Sequence, residues 1–143
     1  MNHRPENQPS ESVRLPRQLV NLILAHVQDS PDVEVCGMIG ATKDQTLSCY
    51  PIPNCAEDAA HRYRMEPACQ IDAMRQMREQ GQQLFAIYHS HPTGSAAPST
   101  IDVADAGYPD ALYLIVSLNT QGVLEMRGFS IRDGRSTEKT LTL

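Results

Sequence analysis

Apolar positions in this chain fall into two periods, one helical and one extended, separated by polar, Pro- and Gly-rich breaks. After Pro16, Leu19, Leu22, Ile23, His26 and Val27 recur at helical spacing, which predicts a helix with proline at an early position. Asp29-Ser30-Pro31-Asp32 ends it. Residues 34–41 are short, apolar and glycine-punctuated, and 45–51 follow as a second strand. Pro51, Pro53 and Asn54, with little periodicity after them, make 51–66 a loop. A second helix is predicted from 66 or 67 to 80, with Ile71, Ala73, Met74 and Met77 as its apolar stripe and Gly81 as its stop. Residues 84–88 form a buried strand leading into His89, and a short helix covers 99 to about 107. Residues 111–118 carry the strongest strand signal, 123–131 form another, and Asp133-Gly134 turns the chain back through 137–143. Residues 1–12 are polar and contain two prolines, so they are expected to be a disordered tail. The remainder, 13–143, reads as one α/β domain with a mixed central β-sheet flanked by helices.

Composition narrows the function classes. A chain of 143 residues can bury a sizeable core without disulfides. Net charge is −5, there is no Trp, and aromatic residues make up only 5%, so a nucleic-acid surface is not expected. Cys36, Cys49, Cys55 and Cys69 form no Cys-x-x-Cys pair and suit reduced thiols in a cytoplasm, with Cys36 as a small core residue. No apolar leader segment and no run of eighteen apolar residues appears, so no membrane partner is expected.

The chemistry concentrates in residues 89–102, His-Ser-His-Pro-Thr-Gly-Ser-Ala-Ala-Pro-Ser-Thr-Ile-Asp. On an extended segment residues i and i+2 face the same side, so His89 and His91 can address one ion from a strand end. Asp102, in the first turn of the helix opened by Ser99, can supply a third ligand. Two imidazoles and one carboxylate leave a fourth position open on zinc. Each part also has a plainer reading. His-x-His pairs are usually surface residues, and Ser99 to Asp102 is a capping box by itself.

The joint spacing resembles the JAMM (MPN+) metalloprotease family. Its pattern of His-x-His, seven residues, Ser, two residues and Asp is met in full by His89, His91, Ser99 and Asp102. Glu34, in Glu-Val-Cys-Gly37, resembles the family's upstream glutamate. The segments Pro53-Asn54, Arg62-Tyr63, Met65-Glu66-Pro67 and Pro109-Asp110-Ala111 resemble compact bacterial members, and the likeness covers about residues 13–131. The resemblance implies a cytidine-deaminase-like MPN domain with one Zn²⁺ per chain, held by His89, His91 and Asp102. It implies Glu34 as general base and then acid, and Ser99 as a hydrogen-bond donor to the oxyanion.

Family members hydrolyse amide bonds, often after the C-terminal glycine of ubiquitin-like proteins. Only ten residues separate His91 from Asp102, and no long insertion is seen. That implies a compact peptidase acting on a ubiquitin-like sulfur-carrier protein or its C-terminally extended form. A homodimer stays open. Two rivals stand beside this reading, an MPN-fold protein-interaction module and a small-amide metal hydrolase. Ser136 to Lys139 fits Ser-x-x-Lys but lacks that motif's companions. His3 and His26 carry no partner signal, His61 reads as an exposed loop residue, and Arg62 and Arg64 read as surface charges.

Overall fold

The computed structural model describes residues 12–118 and 123–143. Its elements are β1 (Ser12–Arg14), α1 (Arg17–Asp29), β2 (Cys36–Ala41), β3 (Leu47–Ile52), α2 (Pro67–Glu79), β4 (Gln83–His91), α3 (Thr100–Asp105), β5 (Leu112–Ser117), β6 (Glu125–Arg132) and β7 (Arg135–Thr142). One seven-stranded sheet runs in the order β1-β7-β6-β5-β4-β2-β3. The β4/β5 and β1/β7 pairs are parallel and the others antiparallel, which makes the sheet mixed. Residues 1–11 of the expected tail lie outside the described residues, and Ser12 opens β1.

The period-2 alternation of the central strands divides the core in two. Ala86, Tyr88, Leu114 and Val116 face the side covered by α1, where Leu19, Ile23 and Val27 pack on them. Ile87, Tyr113 and Ile115 face the other side, with Met38 of β2 and with Ala73 and Met77 of α2. Both faces of β5 are covered and all six of its residues are buried, which is why its sequence is a continuous apolar run. Cys36 lies in the α2-side core, where burial pushes its thiol up to about 12 and keeps it neutral.

Each helix buries a narrower stripe than its sequence predicts. Leu22 of α1 and Ile71 of α2 are 58% and 68% exposed. On a helix of 100° per residue, Leu22 stands about 100° and Ile71 about 140° from the centre of the buried stripe, so neither reaches the sheet. Pro16 occupies the N-cap position of α1 rather than its first turn. Glu66 caps α2, its carboxylate accepting from the Cys69 N–H, and Pro67 stands at the first helical position. β3 starts at Leu47 rather than 45 because a turn closes first, with the Thr42 N–H donating to the Thr46 carbonyl at 3.0 Å. Asp133 and Gly134, at φ 52° and 75°, make the β6–β7 turn, whose twist requires left-handed residues.

The α1 side holds a polar network the sequence did not signal. The Tyr88 hydroxyl lies 2.7 Å from His26 Nδ1 and 3.7 Å from the Cys49 thiol, which donates to it. Burial lowers the pKa of His26 against the opposing charge of Asp29, so a neutral imidazole accepts the Tyr88 proton.

Gly37 makes this packing possible. A Cβ at residue 37 would lie 2.4 Å from the ring of Tyr88, which is fully buried and tied at its hydroxyl. Gly37→Ala is expected to lower stability by about 1–3 kcal/mol, measured by urea unfolding. A loss below about 0.5 kcal/mol would show that Tyr88 yields readily.

Candidate metal centre

The register of β2 against β4 builds one side of the site. Cys36 lies opposite His89. Beyond it the Ser90 N–H donates to the Val35 carbonyl at 3.1 Å, and the Val35 N–H donates to Ser90 Oγ at 2.9 Å. Continuing this antiparallel pairing by one residue sets Glu34 beside His91. The side chains of residues 87, 89 and 91 all face the α2 side of the sheet. Pro92 and the small-residue loop after it carry the chain to α3, whose first turn presents Asp102.

Four donor atoms therefore meet. Ligand atoms of Glu34, His89, His91 and Asp102 lie within 4.8 Å of one another. The residues are 4%, 1%, 7% and 8% exposed, so water does not solvate their charges. His89 Nε2 is 3.1 Å from His91 Nε2 and 3.1 Å from Asp102 Oδ2, and His91 Nε2 is 3.0 Å from the same oxygen. Tetrahedral ligands at 2.0–2.1 Å from zinc would stand about 3.3 Å apart, close to these edges. His91 Nδ1 donates to the Ser95 carbonyl at 2.6 Å, which turns Nε2 toward the cluster. His89 Nδ1 and Glu34 Oε1 are buried without a hydrogen-bond partner. A buried, unpaired carboxylate oxygen beside three convergent ligand atoms is what a cation site requires and what an apolar core excludes. The residues present fit one metal ion.

Both readings of the 99–102 segment hold together. Ser99 Oγ accepts from the Asp102 N–H at 3.0 Å, and Asp102 Oδ2 accepts from the Ser99 N–H at 2.9 Å, a full capping box. The oxygen that caps the helix also faces both histidines, so the cap aims the carboxylate. Ser99 itself is exposed at the mouth of the site.

Several positioning residues carry no motif. The Asn54 amide donates to the carbonyls of Glu34 and Arg62 at 2.8 and 3.0 Å, and its oxygen accepts from Ala56 and Arg64 N–H groups. This clamp and the Glu34 N–H to Ala59 carbonyl bond tie loop 53–66 to the segment that bears Glu34 and leads into β2. Tyr63 from that loop stacks on the His89 ring at a centroid distance of 4.4 Å. Ser117 Oγ donates to the Gly94 carbonyl at 2.6 Å and steadies the loop that orients His91. Asn54 and Tyr63 fall in segments that resemble compact bacterial members, without a role being legible there, and Ser117 gave no signal of its own. His61 sits apart, exposed and paired with Asp58.

Electrostatics separate the carboxylates. Burial alone would raise Asp102, but hydrogen bonds and charge from His89 and His91 outweigh it and hold the group far below the usual carboxylate range. Burial lowers His89, whereas at His91 the bonds to Asp102 and to the Ser95 carbonyl overcome burial and raise it. Burial pushes Glu34 up to about 7, against the lowering charge of His91 and with the raising charge of Asp102. The metal-free site thus holds two carboxyls pushed in opposite directions, Glu34 up and Asp102 down.

The chain matches the family model described as prokaryotic homologs of the JAB domain over residues 16–130. It is 35% identical over 128 residues to the CysO-cysteine peptidase of Mycobacterium tuberculosis, covering 87% of this chain and 86% of that one. It is 31% identical over 121 residues to a probable TtuB-protein conjugate cleaving protease of Thermus thermophilus, covering 85% and 77%. The solved structure of protein DSY2949 from Desulfitobacterium hafniense superposes with a TM-score of 0.80 at 29% identity, covering 92% of each chain. The chain belongs to the prokaryotic JAB-domain family, the compact form of the JAMM/MPN fold, and is a hydrolase of that type.

The raised Glu34 predicts a stability signature. A carboxyl whose folded pKa is about 7 against an ordinary 4.5 contributes stability in full below pH 4.5, and that contribution is lost as pH rises through 7. Metal-free Glu34→Gln is therefore expected to gain about 1–3 kcal/mol over metal-free wild type above pH 7 and nothing near pH 4, by denaturant unfolding. An equal difference at both pH values would contradict the raised carboxyl.

Proposed function

We propose that the chain is a zinc metallopeptidase that cleaves the amide bond after the C-terminal tail of a ubiquitin-like sulfur-carrier protein. The carrying observation is the buried meeting of Glu34, His89, His91 and Asp102, in a chain related to peptidases of such conjugates. His89 Nε2, His91 Nε2 and Asp102 Oδ2 would hold the ion. Zinc supplies a Lewis acid and an acidified water when bound. Glu34, with Oε1 buried, unpaired and within 4.8 Å of these ligand atoms, takes the role of proton carrier that the family resemblance implies. Its near-neutral pKa lets it take a proton from the attacking water and return it to the leaving amine. The Ser99 oxygen accepts from Asp102, which leaves its hydroxyl proton to donate to the oxyanion of the substrate.

No helix of the described residues is long and apolar enough to cross a membrane. The four cysteines are free, which supports the cytoplasm as the working compartment. The substrate is a protein tail. Neither a nucleic-acid partner nor a membrane is required, and a single chain supplies every proposed site residue.

Purified protein is expected to carry about one zinc per chain by elemental analysis. Glu34→Gln should keep the zinc and lose cleavage of a tail-extended carrier by at least ~100-fold, read by intact mass. His89→Ala and Asp102→Ala should lose both metal and cleavage. Unchanged turnover in Glu34→Gln, or tight zinc in either ligand variant, would refute the corresponding role.

A further inference from the structure

A cleft of about 380 Å³ opens beside the metal centre, and the proposed chemistry does not use it. Its floor is apolar, with Met65, Ile87 and Tyr113 at its base. Ile87 lies two residues before His89 on the same face of β4, so the floor begins about 7 Å from the first proposed ligand. Tyr63 forms the shared wall, lining the cleft while stacking on His89. The rim carries two guanidinium groups, Arg62 and Arg64.

The two arginines are not equivalent. Arg62 pairs with Asp105 across the rim at 3.3 Å, which neutralises that carboxylate. Arg64 has no carboxylate in ion-pair contact among the described residues, and its side-chain contact is to Cys55 Sγ at 3.8 Å. Glu66 feels its charge, but the Glu66 carboxylate is engaged by the Cys69 N–H. A cleft with an apolar floor thus carries on its rim one guanidinium that has no ion-pair partner among the described residues, and it shares the Tyr63 wall with His89.

We propose that this cleft is the subsite for the residue released from the tail, and that Arg64 receives that residue's free α-carboxylate. The inference rests on the peptidase reading above. The C-terminal glycine of a ubiquitin-like tail has no side chain to fill this cleft and needs only backbone partners. The group after the scissile bond has both a side chain and, when it is the last residue of the chain, a carboxylate. A guanidinium fork matches that carboxylate in charge and geometry. The chain is thereby specified for carriers extended by a single residue rather than for conjugates joined through a lysine side chain, which present no carboxylate at that position.

The test compares a carrier whose C-terminal glycine is extended by one cysteine, the residue in the name of the Mycobacterium tuberculosis relative, as the free acid and as the C-terminal amide. With wild-type zinc enzyme, the acid is expected to give kcat/KM at least about tenfold above the amide, mainly through KM. Arg64→Gln should bring the acid-to-amide ratio close to one, Arg64→Lys should restore part of it, and the distant Arg135→Gln should leave it unchanged. A second readout needs no turnover: zinc-loaded Glu34→Gln should bind the acid about tenfold more tightly than the amide by calorimetry, and the added Arg64→Gln should erase that preference. Equal cleavage of acid and amide by wild type, or a ratio untouched by Arg64→Gln, overturns the subsite. Failure of zinc-loaded wild type to cleave either form overturns the peptidase reading itself, and the subsite with it.

Discussion

The structure is organised around a cost. Two carboxylates and two imidazoles are held out of water at the end of β4, with one carboxylate oxygen left unpaired. Burying such groups without compensation opposes folding, and an apolar replacement would pack better. The arrangement becomes favourable when a cation takes up the converging lone pairs. In the proposed zinc-bound state, the contacts among His89, His91 and Asp102 would become ligand edges in place of hydrogen bonds.

Holding that cluster together takes most of the fold. The β2–β4 register brings Glu34 to His91. The parallel partner β5, buried on both faces, covers the other edge of β4. Asn54 joins the loop bearing Tyr63 to the Glu34 backbone, and Ser95 fixes the His91 tautomer. The capping box of α3 spends its acid on two tasks at once, ending the helix and aiming a carboxylate oxygen. The outer helices and edge strands contribute burial. The α1 side of the sheet, with its Tyr88–His26 contact, is a structural core remote from this chemistry.

Much of this was legible in the residues. The central strands were readable because buried strands are continuous apolar runs, and α1 and α2 because their caps and stops are local. The 89–102 spacing was readable because a strand end, a short loop and a helix start lie consecutively in the chain. Leu22 and Ile71 were misassigned to buried stripes, since a sequence does not reveal how wide a face the sheet will cover. β1 went unseen because three residues have no period, and its existence depends on pairing with β7. His26 lacked any signal because its partner, Tyr88, is far along the chain.

The amino-acid order alone determined the elements other than β1 and the types of the candidate ligands, because period, capping and turn chemistry act over a few residues. It also carried the spacing that marks the family. Only the tertiary structure decided that Glu34 reaches the histidines, that Tyr63 stacks on His89, and that Arg64 rims a cleft beside them. Those facts follow from strand register and loop clamping between distant segments. Burial then converts proximity into chemistry, by raising Glu34 toward neutrality while the two imidazoles keep Asp102 ionised.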